Sequence, residues 1–236
     1  MMFGWEGRLP KPSVRTTGEM RTVLKEPDCS FHGPLYFMYR DLARSPQDHA
    51  WLRSRNVRYD LTVIPPAVLC GEKVKTKGHY HPTNQSGVGY PEVYEVLEGS
   101  AHYLLQARDL SDVVLIKANA GDRVIIPPSY GHVTINPGNS RLSMANLVST
   151  AFSSDYREYE TMQGAAYYEL ADGSLIKNPR YSRIPPLRRL DAKKMAMRCP
   201  LCPASLYSMV GSYGEGLVFL NRPEDYIREL ERALAD

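Results

Sequence analysis

The chain has no stretch of about 18 consecutive apolar residues, so it offers no membrane-spanning helix. Residues 1–12 lack the apolar core of a secretory leader. Only four cysteines occur among 236 residues, at positions 29, 70, 199 and 202. That is too few for a disulfide-built scaffold, and the expectation is a cytoplasmic chain with reduced thiols. A formal net charge of +3 gives no argument for a nucleic-acid partner, though it does not repel a small anion. No glycine-rich phosphate loop precedes a helix, no internal repeat is present, and no segment is of low complexity.

What the chain has in quantity is short apolar runs. Residues 35–39, 57–64, 92–97, 101–106, 113–117, 123–126, 132–136 and 142–148 are rich in Val, Ile, Leu and Tyr, and turn residues bound most of them. Glu98-Gly99-Ser100 and Asn119-Ala120-Gly121-Asp122 read as turns. Many short strands at regular spacing predict an all-β sandwich or barrel. Helices are expected over residues 17–25, with Thr16 or Thr17 at the cap, within 40–55, and over 223–234. Pro185-Pro186 marks a boundary, dividing a main domain over 1–183 from an extension over 184–236. The basic run Arg188, Arg189, Lys193, Lys194 reads as a solvated face.

One cluster carries chemistry. His79 and His81 are two residues apart, so on a strand both point to the same face. Glu92 and His132 follow. Three imidazoles and a carboxylate suit a divalent first-row metal. Gly99 stands seven residues after Glu92, while Gly121, Pro127, His132 and Asn136 are spaced as in the second of two motifs shared by the cupin superfamily. Two departures are visible: ten residues separate His81 from Glu92 where three or four are usual, and Ser129 stands where that motif has glycine. The long loop, residues 82–91, contains Gly87 and Gly89 and is expected to flex over the cavity mouth.

The strings Thr76-Lys-Gly-His-Tyr-His81, Pro91-Glu-Val-Tyr-Glu-Val-Leu-Glu-Gly99, Leu104-Leu-Gln106 and Ile126-Pro-Pro-Ser-Tyr-Gly-His132-Val-Thr-Ile-Asn136 narrow the likeness. Over residues 14–181 the chain resembles the cupin-type phosphoglucose isomerases, found mainly in archaea. The resemblance implies a cupin barrel with a few peripheral helices, acting as a homodimer that interconverts glucose 6-phosphate and fructose 6-phosphate. It implies one divalent metal on His79, His81, Glu92 and His132, with iron(II) expected and manganese, nickel or zinc able to substitute. It places phosphate contacts at Tyr36, Thr62, Thr76 and Gly78 and sugar-end contacts at Tyr94 and Tyr156; beside it, the chemistry of the Thr76-Lys77-Gly78 stretch offers Lys77 as a charge for the phosphate. Glu92 and Tyr94 become the candidate catalytic residues, Glu92 as base, if a proton rather than a hydride moves between C1 and C2. Ser154 replaces a histidine found in some family members. Rival readings are an isomerase or epimerase for another sugar phosphate such as mannose 6-phosphate, a non-catalytic metal- or sugar-binding cupin, and an iron(II) oxygenase.

Outside the barrel, Cys199-Pro-Leu-Cys202-Pro resembles half of a zinc ribbon. Cys29 and Cys70 could complete a second, structural zinc site, two such turns could share one metal across a dimer axis, or the thiols could simply be reduced. His102 is expected to be structural, and His32 and His49 solvated.

Overall fold

In the computed structural model, residues 5–6, 8–199, 201, 205–211 and 216–235 are described. Fourteen strands run through them: β1 (Ser13–Thr16), β2 (Pro34–Tyr39), β3 (Val57–Ile64), β4 (Val68–Leu69), β5 (Glu72–Lys73), β6 (Glu92–Glu98), β7 (Ser100–Ala107), β8 (Val113–Asn119), β9 (Arg123–Ile126), β10 (Tyr130–Ile135), β11 (Leu142–Ser149), β12 (Tyr167–Glu169), β13 (Leu175–Lys177) and β14 (Leu187–Asp191). Six form one sheet in the order β1-β2-β3-β11-β6-β9, four form a second in the order β10-β7-β8-β14, and two small hairpins complete the set. All eight expected strands are present.

The two sheets enclose one apolar core. The Tyr94 ring of the larger sheet lies 5.3 Å from the Tyr103 ring of the smaller. Strand β11 lies between β3 and β6 with all eight residues buried: one face meets the opposing sheet, and the 3₁₀ turn over Leu206–Met209 packs on it as well. This is the all-β cupin barrel, with few helices.

The helical expectations are met in shortened form. Thr16 caps α1 (Thr17–Met20) through a capping box with Glu19, and a 3₁₀ turn over Arg21–Val23 ends it. Ser45 accepts from the Asp48 N–H and starts α2 (Pro46–Ser54). The helices α3 (Arg157–Thr161), α4 (Ala192–Arg198) and α5 (Ile227–Arg232) follow, the last preceded by a 3₁₀ turn over Pro223–Tyr226. Among the described residues no helix is long and apolar enough to cross a membrane.

The stretch after Pro186 packs on the barrel. Strand β14 adds to β8 in parallel, and Arg188 holds Asp112 through Nε at 2.9 Å and Nη2 at 2.7 Å while donating to the Leu234 carbonyl. The solvated-face reading therefore fails for Arg188: its charge is spent on a half-buried carboxylate. On the other flank Tyr207 packs edge-on against Trp5 and Tyr59, with centroids 5.2 and 5.0 Å away.

The thiol expectation is also corrected. Cys29 and Cys70 form a disulfide that joins positions 41 residues apart. Neither sulfur is left to bind zinc. Cys199 is buried, and burial pushes its thiol up; Cys202 lies outside the described residues.

Candidate metal centre

The two histidines of the 78–81 segment sit on extended backbone that pairs with β10. His79 N–H donates to the His132 carbonyl at 3.4 Å and His132 N–H to the His79 carbonyl at 3.1 Å. The alternation expected of a strand holds: Tyr80 turns the other way and its hydroxyl accepts from Gln106 Nε2 at 2.8 Å. Glu92 opens β6 and pairs laterally with Val148 and Ile126.

Four ligand atoms, one each from His79, His81, Glu92 and His132, all lie within 4.8 Å of one another. His79 Nε2 and His81 Nε2 are 3.1 Å apart. Glu92 Oε2 is 3.4 Å from His81 Nε2 and 3.3 Å from His132 Nε2. Ligand bonds of about 2.1 Å put neighbouring donor atoms roughly 3–4 Å apart, so these gaps suit one divalent ion. Glu92 Oε2 is buried and has no hydrogen-bond partner among the described residues. That oxygen and three converging nitrogens fit a metal better than they fit one another.

The ligands are oriented from behind. Asn146 Nδ2 donates to Glu92 Oε1 at 2.7 Å, turning Oε2 toward the histidines. The Tyr90 carbonyl lies 2.8 Å from His81 Nδ1. A carbonyl only accepts, so Nδ1 carries the proton and Nε2 keeps its lone pair. Phe152 packs on the His81 ring at 4.5 Å and stacks on Tyr90 at 4.8 Å.

Electrostatics keep the set ready to ligate. Burial, aided by the charges of His132 and His81, pushes His79 well below the ordinary imidazole value; burial likewise lowers His132. Burial alone would raise the Glu92 carboxyl, but His132 and His81 outweigh it and hold it well below its usual range. Burial, then the Glu92 charge, pushes the Tyr94 phenol well up, so it keeps its proton. Its hydroxyl is 3.1 Å from His132 Nε2.

The four candidate ligands line a cavity of about 310 Å³. Tyr36, Thr62, Thr76, Lys77, Gly78, Tyr94 and Tyr156 line it too. Tyr36 OH accepts from Lys77 N–H at 3.2 Å, and Thr76 Oγ1 accepts from Thr134 N–H at 2.9 Å. Lys77 Nζ is paired with Glu160 Oε1 at 2.5 Å and lies 5.6 Å from the Tyr156 ring centroid.

Residues 17–185 match the family described as glucose-6-phosphate isomerase. The chain belongs to that family. Among relatives, the glucose-6-phosphate isomerase of Thermococcus litoralis is 32% identical over 101 residues, which are 43% of this chain and 50% of the relative. That of Thermococcus gammatolerans is 27% identical over 133 residues, 55% of this chain and 67% of the relative. That of Pyrococcus furiosus is 25% identical over 130 residues, 54% and 66% respectively. The match thus spans between half and two thirds of each of these relatives' lengths. Among solved structures, a variant of the Bacillus subtilis oxalate decarboxylase superposes with a TM-score of 0.39 at 19% identity, over 52% of this chain and 28% of that one. The Lactobacillus farciminis oxalate decarboxylase–formate complex gives 0.39 at 17%, over 51% and 30%.

Several lining residues of this isomerase-family cavity escaped the sequence reading: Met38, Arg40, Arg58, Met144, Asn146 and Phe152. Asn146 left a signal, a polar residue in phase with Met144 and Val148 on a wholly buried strand, where it must find a partner. Arg40 and Arg58 left none, since surface arginines look the same in sequence. Ser129 takes the place of the motif glycine by adopting φ +67° itself. The 82–91 loop folds back on that turn: Thr83 bridges to Gly89, and a Cβ on Gly89 would lie 2.8 Å from Ser129 N. His102 Nδ1 lies 2.8 Å from Glu169 Oε2, and His49 Nε2 lies 3.1 Å from Asp41 Oδ2.

Proposed function

We propose that the chain catalyses the reversible interconversion of glucose 6-phosphate and fructose 6-phosphate with a divalent metal bound by His79, His81, Glu92 and His132. The observation that carries this is the four-ligand cluster opening onto a cavity lined by hydroxyls, the Lys77 ammonium and the Gly78 backbone, in a chain of this family. When bound, the metal supplies Lewis-acid polarisation of the sugar carbonyl.

The chain's own groups supply the rest. The Thr76–Gly78 stretch and Tyr36 offer hydroxyls and a backbone N–H for the phosphate, with Lys77 adding charge shared with Glu160. Thr62 completes that wall, and Tyr156 lines the cavity as a contact for the sugar end. Tyr94, protonated and against His132, donates to a sugar oxygen as charge develops there. Glu92, held by Asn146, presents one oxygen to the cavity, as ligand and, on the route where a proton moves between C1 and C2, as base. The resemblance further supports iron(II) as the resident metal, with manganese, nickel or zinc as substitutes, and a homodimer.

The test is a coupled assay on fructose 6-phosphate with metal analysis of the same sample. A chelator is expected to abolish glucose 6-phosphate formation, and iron(II) or manganese to restore it. Full activity in metal-free protein would overturn the reading. Sedimentation giving one chain per particle would overturn the dimer.

A further inference from the structure

The proposed sugar-phosphate contacts leave one part of the cavity wall without a task. Arg40 and Arg58 share a single carboxylate. Arg40 Nη1 and Arg58 Nε donate to the same oxygen, Asp60 Oδ2, at 2.7 and 2.8 Å. Asp60 Oδ1 accepts from the Asp41 N–H at 2.9 Å. The Asp60 side chain is fully buried, while those of Arg40 and Arg58 are 41% and 34% exposed, and both arginines line the cavity.

The sheet register explains the arrangement. Asp60, Asn146 and Tyr94 lie side by side across β3, β11 and β6, and Asn146 and Tyr94 line the cavity. Arg58, Val148 and Glu92 form the next row. Arg58 therefore stands on the same inward face as a metal ligand, two strands or roughly 10 Å away across the sheet.

Charge decides what the pair can do. Two guanidiniums against one carboxylate leave a surplus of one positive charge. Lys77, in contrast, is matched one-to-one by Glu160. Arg58 Nη1 and Nη2 make no hydrogen bond to any described residue. A cavity-lining arginine held through Nε on a buried acid, with both Nη groups still able to donate, is pre-organised for a bidentate oxyanion.

We propose that Arg40 and Arg58 form a second anion subsite of this cavity, and that it takes the second phosphate of a hexose bisphosphate. The proposal rests on the sugar-phosphate reading of the same cavity. A phosphate ester on O1 prevents C1 from becoming a free aldehyde, so such a ligand occupies the site without isomerising. It acts as a competitive inhibitor, and the arginine pair makes the cavity responsive to it.

The test is titration calorimetry on the manganese-loaded full chain, with fructose 1,6-bisphosphate and fructose 6-phosphate as probes. The bisphosphate is expected to bind about tenfold more tightly, as one or two added charge-assisted hydrogen bonds provide. Arg58→Gln is expected to shrink that preference to within about twofold, with metal content and melting temperature as controls on folding. Equal affinities in the unmodified protein, or an undiminished preference in folded Arg58→Gln, would overturn the subsite. Should Arg58→Gln fail to fold, salt dependence decides. Bisphosphate binding to the unmodified chain should weaken more steeply with salt than monophosphate binding, and parallel slopes overturn the proposal. Turnover of fructose 6-phosphate without bisphosphate is measured separately. A chain that prefers the bisphosphate through Arg58 yet makes no glucose 6-phosphate keeps the subsite and loses the isomerase reading.

Discussion

Asn146 Nδ2 donates to Glu92 Oε1 at 2.7 Å from the strand next to it, and this bond decides which carboxylate oxygen faces the three histidines. Asn146→Leu keeps the volume and removes the donor. Glu92 Oε1 is then buried without a partner, and the carboxylate is free to rotate. Metal affinity is expected to fall about 10- to 100-fold, the usual consequence of losing a group that orients a ligand. Competition against a chromogenic chelator measures it, and unchanged affinity would show that Asn146 does not hold the ligand in place.

Gly78 connects the hydroxyl wall to the first histidine, and its backbone has φ +79°. A Cβ there would meet Tyr159 Cδ1 at 2.6 Å and Val133 Cγ2 at 2.7 Å. Gly78→Ala is expected to destabilise by about 3 kcal/mol, from overpacking added to backbone strain. Gly121 has a similar φ of +89° but open space around it. Gly121→Ala should therefore cost only about 1 kcal/mol, from strain alone. Urea midpoints separate the two.

Arg188 and Tyr130 both bond Asp112, and Arg188, the stronger influence, holds its carboxyl below the ordinary value of 3.8. A carboxyl depressed in the folded state adds stability that is complete above its unfolded value and lost as pH falls through the folded value. The stabilisation of the C-terminal strap is therefore expected to be full at pH 6 and to fade below about pH 4. Asp112→Asn should lower the melting temperature at pH 6, and the gap to the unmodified chain should close on acidification. A gap independent of pH would remove the ion pair as its cause.

The Cys29–Cys70 disulfide closes a loop between positions 41 residues apart. In the chain-entropy account a loop of that length stabilises by about 4 kcal/mol. Melting in the presence and absence of a reductant is expected to differ accordingly, and Cys29→Ser should match the reduced protein. A reductant-insensitive melt would mean that the two sulfurs are not joined.

Much of the site was readable along the chain. The His79, His81, Glu92 and His132 set is spaced so that strand alternation and two turns bring it together, and each member keeps that geometry. Tyr94 follows Glu92 by two and shares its face for the same reason. Asn146 and Arg58 come from strands, and Arg40 from the residue just after β2, whose placement depends on pairings far apart in sequence, and no local spacing announces them. The same holds for Asp112 with Arg188, 76 positions apart, and for the cysteine pairing, which composition argued against.

By itself, then, the sequence determined the all-β architecture, the clustering of His79, His81, Glu92 and His132, and the family, because strand alternation and turn residues act over a few positions and leave a period in the chain. The tertiary structure decided what surrounds those ligands: the asparagine that orients the carboxylate, the two arginines on one buried acid, and the disulfide. Those depend on sheet order and register, set by burial of the whole core rather than by any one segment.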